Sequence, residues 1–484
     1  MFKLTPVAAA VLLLISGHTL ADDSRSTHYQ NGTDNIIDVQ QITSSFSIIQ
    51  QVQYGDGNDA ADLQNTATSA TIDQAQNGTK NGAYGEQLYE SSSRIVQRQS
   101  DTLNTAHASQ SLGTGNLANT IQSGTGNFAF VYQDTQTSSR ANTEQSGTTN
   151  QAYIEQLFGG AGNNATIYQT GDANYGAAEQ LTHQNGQIQL HQYGVGHWAY
   201  GDQRNGQGGT LLIDQKGQLN SGEIWQDSQS DSRAELNQNG TSNQSVIDQS
   251  FGNNNLALVM QYGDRNTVQA DQYTSTTSTS KVSQTGQDNE SLSYQSGSGH
   301  RFTVVSNGTY NSVYASNWKG PVMGGQFGVN QTANLNQYGT ANTINLTQND
   351  QGNLTQLKQN GTANDAKVAQ AESFNELFFE QNGSDNVLIA DQRGSDNYAQ
   401  GSSYGVGNTA DFTQSGTGNQ AYTTQNGDYN LASIKQADGN IGVNLAYVNQ
   451  AGAHNQAYVD QSNQNMNANV QQIGSGNQAS VVQK

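Results

Sequence analysis

A glutamine, once replaced by a serine, recurs at eleven-residue spacing between Gln326 and Gln483, apart from one longer step from Gln436 to Gln450, and the same phrase recurs between those beats. It reads Q-x-G-x-x-N-x-A-x-x-x-Q, with Gln337, Gly339, Asn342, Ile344 and Gln348 as one copy and Gln472, Gly474, Asn477, Ala479 and Gln483 as another. Self-similarity at a short fixed period predicts stacked repeats rather than a globular enzyme fold.

Composition agrees with that constraint. Only 33% of the residues are hydrophobic, too few for the thick cores that 484 residues would otherwise build. Charged residues are only 12%, low for a charge-solvated disordered polymer, whereas polar Asn/Gln-rich chains favour β stacking. With no cysteine, an exported chain has no disulfides to hold it, and backbone pairing is the substitute. A net charge of −21 and scattered Lys and Arg exclude a nucleic-acid partner. Residues 1–21, with Lys3, an apolar run through Val7 to Ile15 and Ala21 ahead of Asp22, are expected to form a signal peptide. No later stretch is long and apolar enough for a transmembrane segment.

The phrase extends towards the N-terminus as Gln53-Gly55-Asn58-Ala60-Gln64 and Gln122-Gly124-Asn127-Ala129-Gln133, with slips in phase around Gln64 to Gln76 and Gln110 to Gln122. Residues 22–316 are therefore expected to be a less regular repeat region and 326–484 a regular one. Between them, 317–325 holds Pro321, which cannot donate to a strand ladder and predicts a loop or bulge separating the two blocks. Within each unit the glycine predicts a turn, and positions 5, 7, 9 and 11 after the leading Gln share one strand face: Asn, Ala, apolar, Gln. The ninth position is Leu335, Leu346, Leu357, Val368, Phe379, Phe412, Ile434, Val459, Val470 and Val481, with Ala390 and Gly401 as weak members. The opposite face, as at Gln456, Tyr458 and Asp460, is expected to meet solvent. The fold class is all-β: a two-sheet β-solenoid of strand-turn-strand repeats, two units forming one hairpin-like rung of 22 residues. At 4.7–4.8 Å per strand the rod would be on the order of 100 Å long. One apolar side chain and one alanine per unit cannot offset the ordering of eleven residues, so a lone rung cannot fold and stacking is compulsory.

These residues resemble the curlin repeats of bacterial curli subunits over nearly the whole chain after residue 21. The resemblance implies an amyloid-like cross-β solenoid, exported through a dedicated outer-membrane pore with its chaperones and polymerising at the cell surface into adhesive fibres of the biofilm matrix. Its partners would be further copies of itself and another curlin-type subunit. The ladder positions map to Gln337, Asn342, Gln348, Asn353, Gln359, Asn364, Gln381, Asn386, Gln414, Asn419, Gln425, Asn430, Gln450, Asn455, Gln472, Asn477 and Gln483. The turn positions map to Gly339, Gly361, Gly383, Gly416, Gly427, Gly452 and Gly474. The chain carries several times the repeats of a typical member, and its leader, Asp22 to Tyr29, is short.

Chemical motifs yield to the repeat. Gly401-Ser-Ser403-Tyr-Gly405 matches a nucleophile elbow, yet Ser403 falls on the glutamine beat and no helix follows. His183, His191 and His197 fall in a turn, on the outer face and on the Asn beat, so they do not converge on a metal, and His300 also replaces Asn. Glu376 and Glu380 are too far apart along one strand for a glycosidase pair. Asp56-Gly-Asn58-Asp lacks the remainder of a calcium loop. No catalytic residue, cofactor or metal is expected. A secreted, self-assembling structural protein is the leading reading. A monomeric solenoid binding carbohydrate or ice is the alternative, with Thr274 to Ser280 the one threonine cluster; a polysaccharide-cleaving β-helix would need longer loops than these turns provide.

Overall fold

Alternation in the residues 332–340 shows how the chain coils. Ala333, Leu335 and Gln337 point inward and are buried, while Thr332, Asn334 and Asn336 face out. The chain then bends and runs back as Thr343–Gln348, whose inward residues are Ile344, Leu346 and Gln348. The two strands do not pair with each other. Thr332–Thr340 pairs in parallel register with Leu354–Thr362, and Thr343–Gln348 with Asp365–Ser373, one coil further on. The rung is thus a strand-arc-strand, not a hairpin, because its hydrogen bonds run along the rod rather than across it.

The computed structural model describes residues 23–317, 320–321, 323–437 and 442–484; the expected signal peptide, 1–21, lies outside them. Forty-one strands, from Arg25–Thr33 to Gln478–Gln483, and no helix form the described residues. Alternate strands stack into two parallel sheets, one of twenty strands, with Ser312–Ala315 and Gly325–Val329 both in the other. At ~4.8 Å per strand this is a rod about 100 Å long. Between the sheets runs a thin core of alanine and one larger apolar side chain per strand. Every ninth-position residue named above is buried except Val481 at the last rung and the half-buried Gly401.

Three expectations change. First, residues 25–298 are not irregular. Gln53 bonds to Gln76, Gln76 to Gln99 and Gln99 to Gln122, each 23 residues on. The slips at Gln64–Gln76 and Gln110–Gln122 are a second, longer corner, repeated coil after coil. That corner contains two left-handed residues, as at Thr66 (φ 54°) and Ser69 (φ 53°), on either side of Thr68, which bridges in parallel to Ser45 and Ser91. Later coils lack the extra residue and repeat every 22, as from Gln337 to Gln359. Second, the change of period falls not at Pro321 but near a register shift between Gln272 and Ser275, and Thr279–Gln287 already pairs 22 residues on with Arg301–Thr309. Pro321 instead belongs to an insertion within one rung: Ser312–Ala315 before it and Gly325–Val329 after it both pair with Glu290–Ser298. The solenoid runs through the break, and Gln295 donates to Gln326 across 31 residues.

Third, the glycines do not occupy the turn apex. Gly339, Gly361, Gly383 and Gly416 still lie in strands, and Gly339 is in register with Gly361; Gly427, Gly452 and Gly474 start the bend. The left-handed apex comes two residues after the glycine, at Ala341 (φ 57°) and Ala363 (φ 54°). Gly339 is required for another reason: at φ 110° a Cβ would lie 2.1 Å from the carbonyl oxygen of Gly361. The column stacks too closely for a side chain.

Candidate functional site

The inward amides form four columns, two of glutamine and two of asparagine, that the expected ladder residues do not distinguish. In one sheet Gln337 Nε2 donates to Gln359 Oε1 (3.0 Å), Gln359 to Gln381 (2.9 Å), Gln425 to Gln450 (3.1 Å) and Gln450 to Gln472 (2.8 Å). In the other, Gln348 donates to Gln370, Gln414 to Gln436 and Gln461 to Gln483. At one corner Asn364 Nδ2 donates back to Asn342 Oδ1 and Asn386 to Asn364, and the series runs on through Asn430, Asn455 and Asn477. At the other corner Asn375 donates to Asn353 and Asn419 to Asn397. Glutamines therefore donate towards the C-terminus and asparagines towards the N-terminus.

Each amide is satisfied several times over, which is what burying it requires. Asn364 Nδ2 also donates to Gly383 O at 3.0 Å, and Asn364 N to Asn342 Oδ1 at 3.1 Å. Gln337 Nε2 reaches the carbonyls of Ser312 and Asn342. The same columns continue through the earlier coils, from Gln30 to Gln53 and from Gln41 to Gln64. The expected ladder residues leave out Gln326, Gln370, Gln392, Gln436 and Gln461 and Asn375, Asn397, Asn408 and Asn444, which belong to the same columns; pairing residues 22 or 23 apart, instead of counting every eleventh, separates the columns.

The outermost rungs leave these columns open. All nine residues of Arg25–Thr33 are exposed, and Gln478–Gln483 is at best half-buried. Gln30 and Gln41 have donated forward and present their Oε1 acceptors; Gln472 and Gln483 end their columns with amide groups that donate only to backbone carbonyls. Asn35 Oδ1 accepts from Asn58, while Asn477 donates to Asn455. One end of the described rod thus offers what the other end needs, at matching positions.

The longer corner holds a column that sequence reading did not find. From Glu90 onward large polar residues alternate with glycine: Glu90, Gly113, Gln136, Gly160, His183, Gly206, Gln229, Gly252. Glu90, Gln136, His183 and Gln229 are buried. Glu90, Gln136 and His183 reach over the neighbouring glycine, so that a Cβ on Gly113 would lie 2.8 Å from Glu90 Oε1, one on Gly160 2.5 Å from Gln136 Oε1 and one on Gly206 3.0 Å from His183 Nε2. Burial pushes the Glu90 carboxyl up to about 7, against the hydroxyl of Ser93 and the amide of Asn116, which favour the charge. Burial alone holds the His183 imidazole down at about 4.

The remaining candidates stay apart. His183 sits in this buried corner rather than an open turn, and His191 lies on the outer face. His197 and His300 stand in for asparagine: each ring contacts the carbonyl four residues before it, Tyr193 O at 3.2 Å and Ser296 O at 3.0 Å, and accepts at Nδ1 from Asn220 N and Gln331 N. Among the described residues no group of His, Asp and Glu is arranged to hold a metal ion. Ser403 is buried within Tyr398–Val406 and donates to Gln425 Oε1 at 2.7 Å, a ladder contact. Glu380 pairs with Lys358 (2.8 Å). Asp56 Oδ1 accepts from Thr33 N and Oγ1. Thr274 and Thr277 occupy left-handed corners, so they make no flat threonine face. Among the described residues no helix is long and apolar enough to cross a membrane.

The family model for the curlin associated repeat matches residues 137–171, 230–263 and 405–437, in coils of 24, 23 and 22 residues respectively. The comparison with curated proteins gives no match.

Proposed function

We propose that this curlin-repeat protein is a secreted structural subunit that assembles end to end into curli-type functional amyloid fibres, for adhesion at the cell surface and in the biofilm matrix. The observation that carries the reading is the complementarity of the two outer rungs. Unpaired strand edges recruit further chains, and here the edge is accompanied by three amide columns, ending in Gln30, Gln41 and Asn35 on one side and Gln472, Gln483 and Asn477 on the other, whose donors and acceptors match across the ends. Because the contact is head to tail and the ends never close on themselves, it generates a filament. The flat, thin core supplies little adhesion of its own, so pairing continues as the same parallel ladder that joins coils within the chain.

Export through an outer-membrane pore, with chaperones holding the chain unfolded and a second curlin-type subunit on the surface, fits a chain whose single rungs cannot fold alone. Purified chain from Asp22 onward is expected to form fibres after a lag, with reflections near 4.7 and 10 Å. Sonicated fibres should abolish the lag. A chain that stays monomeric under seeding for days would overturn the reading.

A further inference from the structure

We propose that the outer face of the sheet between residues 334 and 449 binds a neutral, extended polysaccharide. Six successive strands present this face, from Thr332–Thr340 through Leu354–Thr362, Glu376–Ser384, Tyr398–Val406 and Gln420–Asn426 to Leu445–Ala451. Four aromatic rings form a ridge along the rod: Phe378 to Tyr398 at 5.7 Å, Tyr398 to Tyr422 at 5.7 Å, and Tyr422 stacked on Tyr447 at 4.7 Å. On one side of the ridge lies a groove of about 720 Å³, and on the other a hollow of about 360 Å³.

The groove follows from a local departure in the repeat. Gly401 takes the place of the apolar ninth residue, and the Phe379 ring leans to within 2.6 Å of where its Cβ would be. Beside it the outward Ser402 and Thr424 are short, so the floor sinks below the rings. Amides line the rest: Asn334, Asn336, Gln356 and Gln400. The charges within it, Lys358 and Glu380, are paired with each other at 2.8 Å.

This set of groups suits one ligand chemistry. Ring faces pack against the C–H faces of sugar rings, and short amides and hydroxyls both donate to and accept from sugar hydroxyls. The rungs recur at ~4.8 Å, close to the length of one sugar in an extended chain, so contacts repeat in step with the polymer over roughly 24 Å. The groove's own charges cancel, and the carboxylates Glu376 and Asp396 in the hollow beyond the ridge, on a chain of net charge −21, repel acidic polymers. The opposite sheet also carries rings, Tyr175 stacked on Trp198 and Tyr200 tilted against Trp225, beside the ion pairs that Arg204 makes with Glu179 and Asp202.

Full-length folded chain, immobilised on a biosensor surface, is to be exposed separately to hydroxyethyl cellulose, alginate and poly-lysine. Binding of the neutral glucan is expected, weakened at least tenfold by Tyr422→Ala with Tyr447→Ala. Ser402→Tyr, which fills the floor and leaves the rings in place, should weaken it similarly, while Tyr153→Ala on the other sheet leaves it unchanged. The circular dichroism of each variant checks the fold. Absence of glucan binding, binding that survives both groove changes, or poly-lysine binding lost with the same groove changes would overturn the proposal, the last in favour of a basic protein partner.

Discussion

At the level of single residues, the molecule depends on positions where one atom too many breaks a column. Replacing Gly339 by Ala places a Cβ 2.1 Å from Gly361 O and forces an L-residue to φ 110°; the conformational cost alone is roughly 1–3 kcal/mol, before the clash is relieved. Hydrogen exchange should show protection lost in the coils around 339 and 361 and retained elsewhere. His183 behaves differently, because its cost depends on pH. Its folded value of about 4 lies below the ordinary 6.5, so its contribution is present above pH 6.5 and lost as pH falls towards 4, on the order of 3 kcal/mol. Glu90 runs in the opposite sense: held at about 7 instead of 4.5, it keeps its proton on folding, and its contribution fades as pH rises through that interval. His183→Gln, which copies Gln136 and Gln229 in the same column, is expected to reduce the loss in urea midpoint between pH 6.5 and 4, the remainder coming from the other histidines that burial holds down, His107, His191, His197 and His300. An unchanged acid limb in that titration would contradict the buried, neutral imidazole.

For the strands and corners, the two kinds of coil make different demands. After residue 298 most corners are short, with glycine or, as at Asp350 and Glu372, an acidic residue in its place, and the halves of a coil are nearly interchangeable. Deleting residues 337–347 moves every later strand to the opposite sheet but keeps its inward pattern, so the fibre-type circular dichroism and cooperative melting are expected to persist. Deleting residues 122–132 removes the short corner between Leu117–Thr125 and Phe128–Asp134, so that two long corners follow one another, and it misplaces the buried polar column; loss of cooperative melting is expected there. The strands, their inward faces and the thin core were legible in the sequence because a two-residue alternation repeated many times leaves no other assignment. The second corner was not. Its signal is a buried polar residue alternating with glycine, Glu90 over Gly113 and Gln136 over Gly160, and that pattern recurs only every second coil, beyond the reach of an eleven-residue template. The turn was misplaced for a related reason: glycine usually marks an apex, whereas Gly339 is needed for the approach of the next coil and the apex falls to Ala341.

For the whole molecule, growth depends on the outermost rungs. Ala479 and Val481 point inward on the last strand and pack against the core below. Lysine at both positions leaves every other coil unchanged and places charges where the next chain's core would sit. The variant is expected to fold, to fail to elongate from that end, and to slow wild-type fibre growth when mixed in; normal growth by electron microscopy would show that this edge is not used. The opposed directions of the amide columns have a further consequence. In each column the side-chain dipoles add head to tail, as peptide dipoles do in a helix. The two glutamine columns point one way along the rod and the asparagine columns the other, the second of these running only from Asn353 to Asn444, and parallel sheets contribute little net dipole of their own. Their fields partly offset each other, so less charge accumulates at the tips as the rod lengthens than a single set of columns would leave. A late subunit would then meet an electrostatic environment close to that met by an early one, and fibre length is set more by supply and breakage than by a growing self-energy.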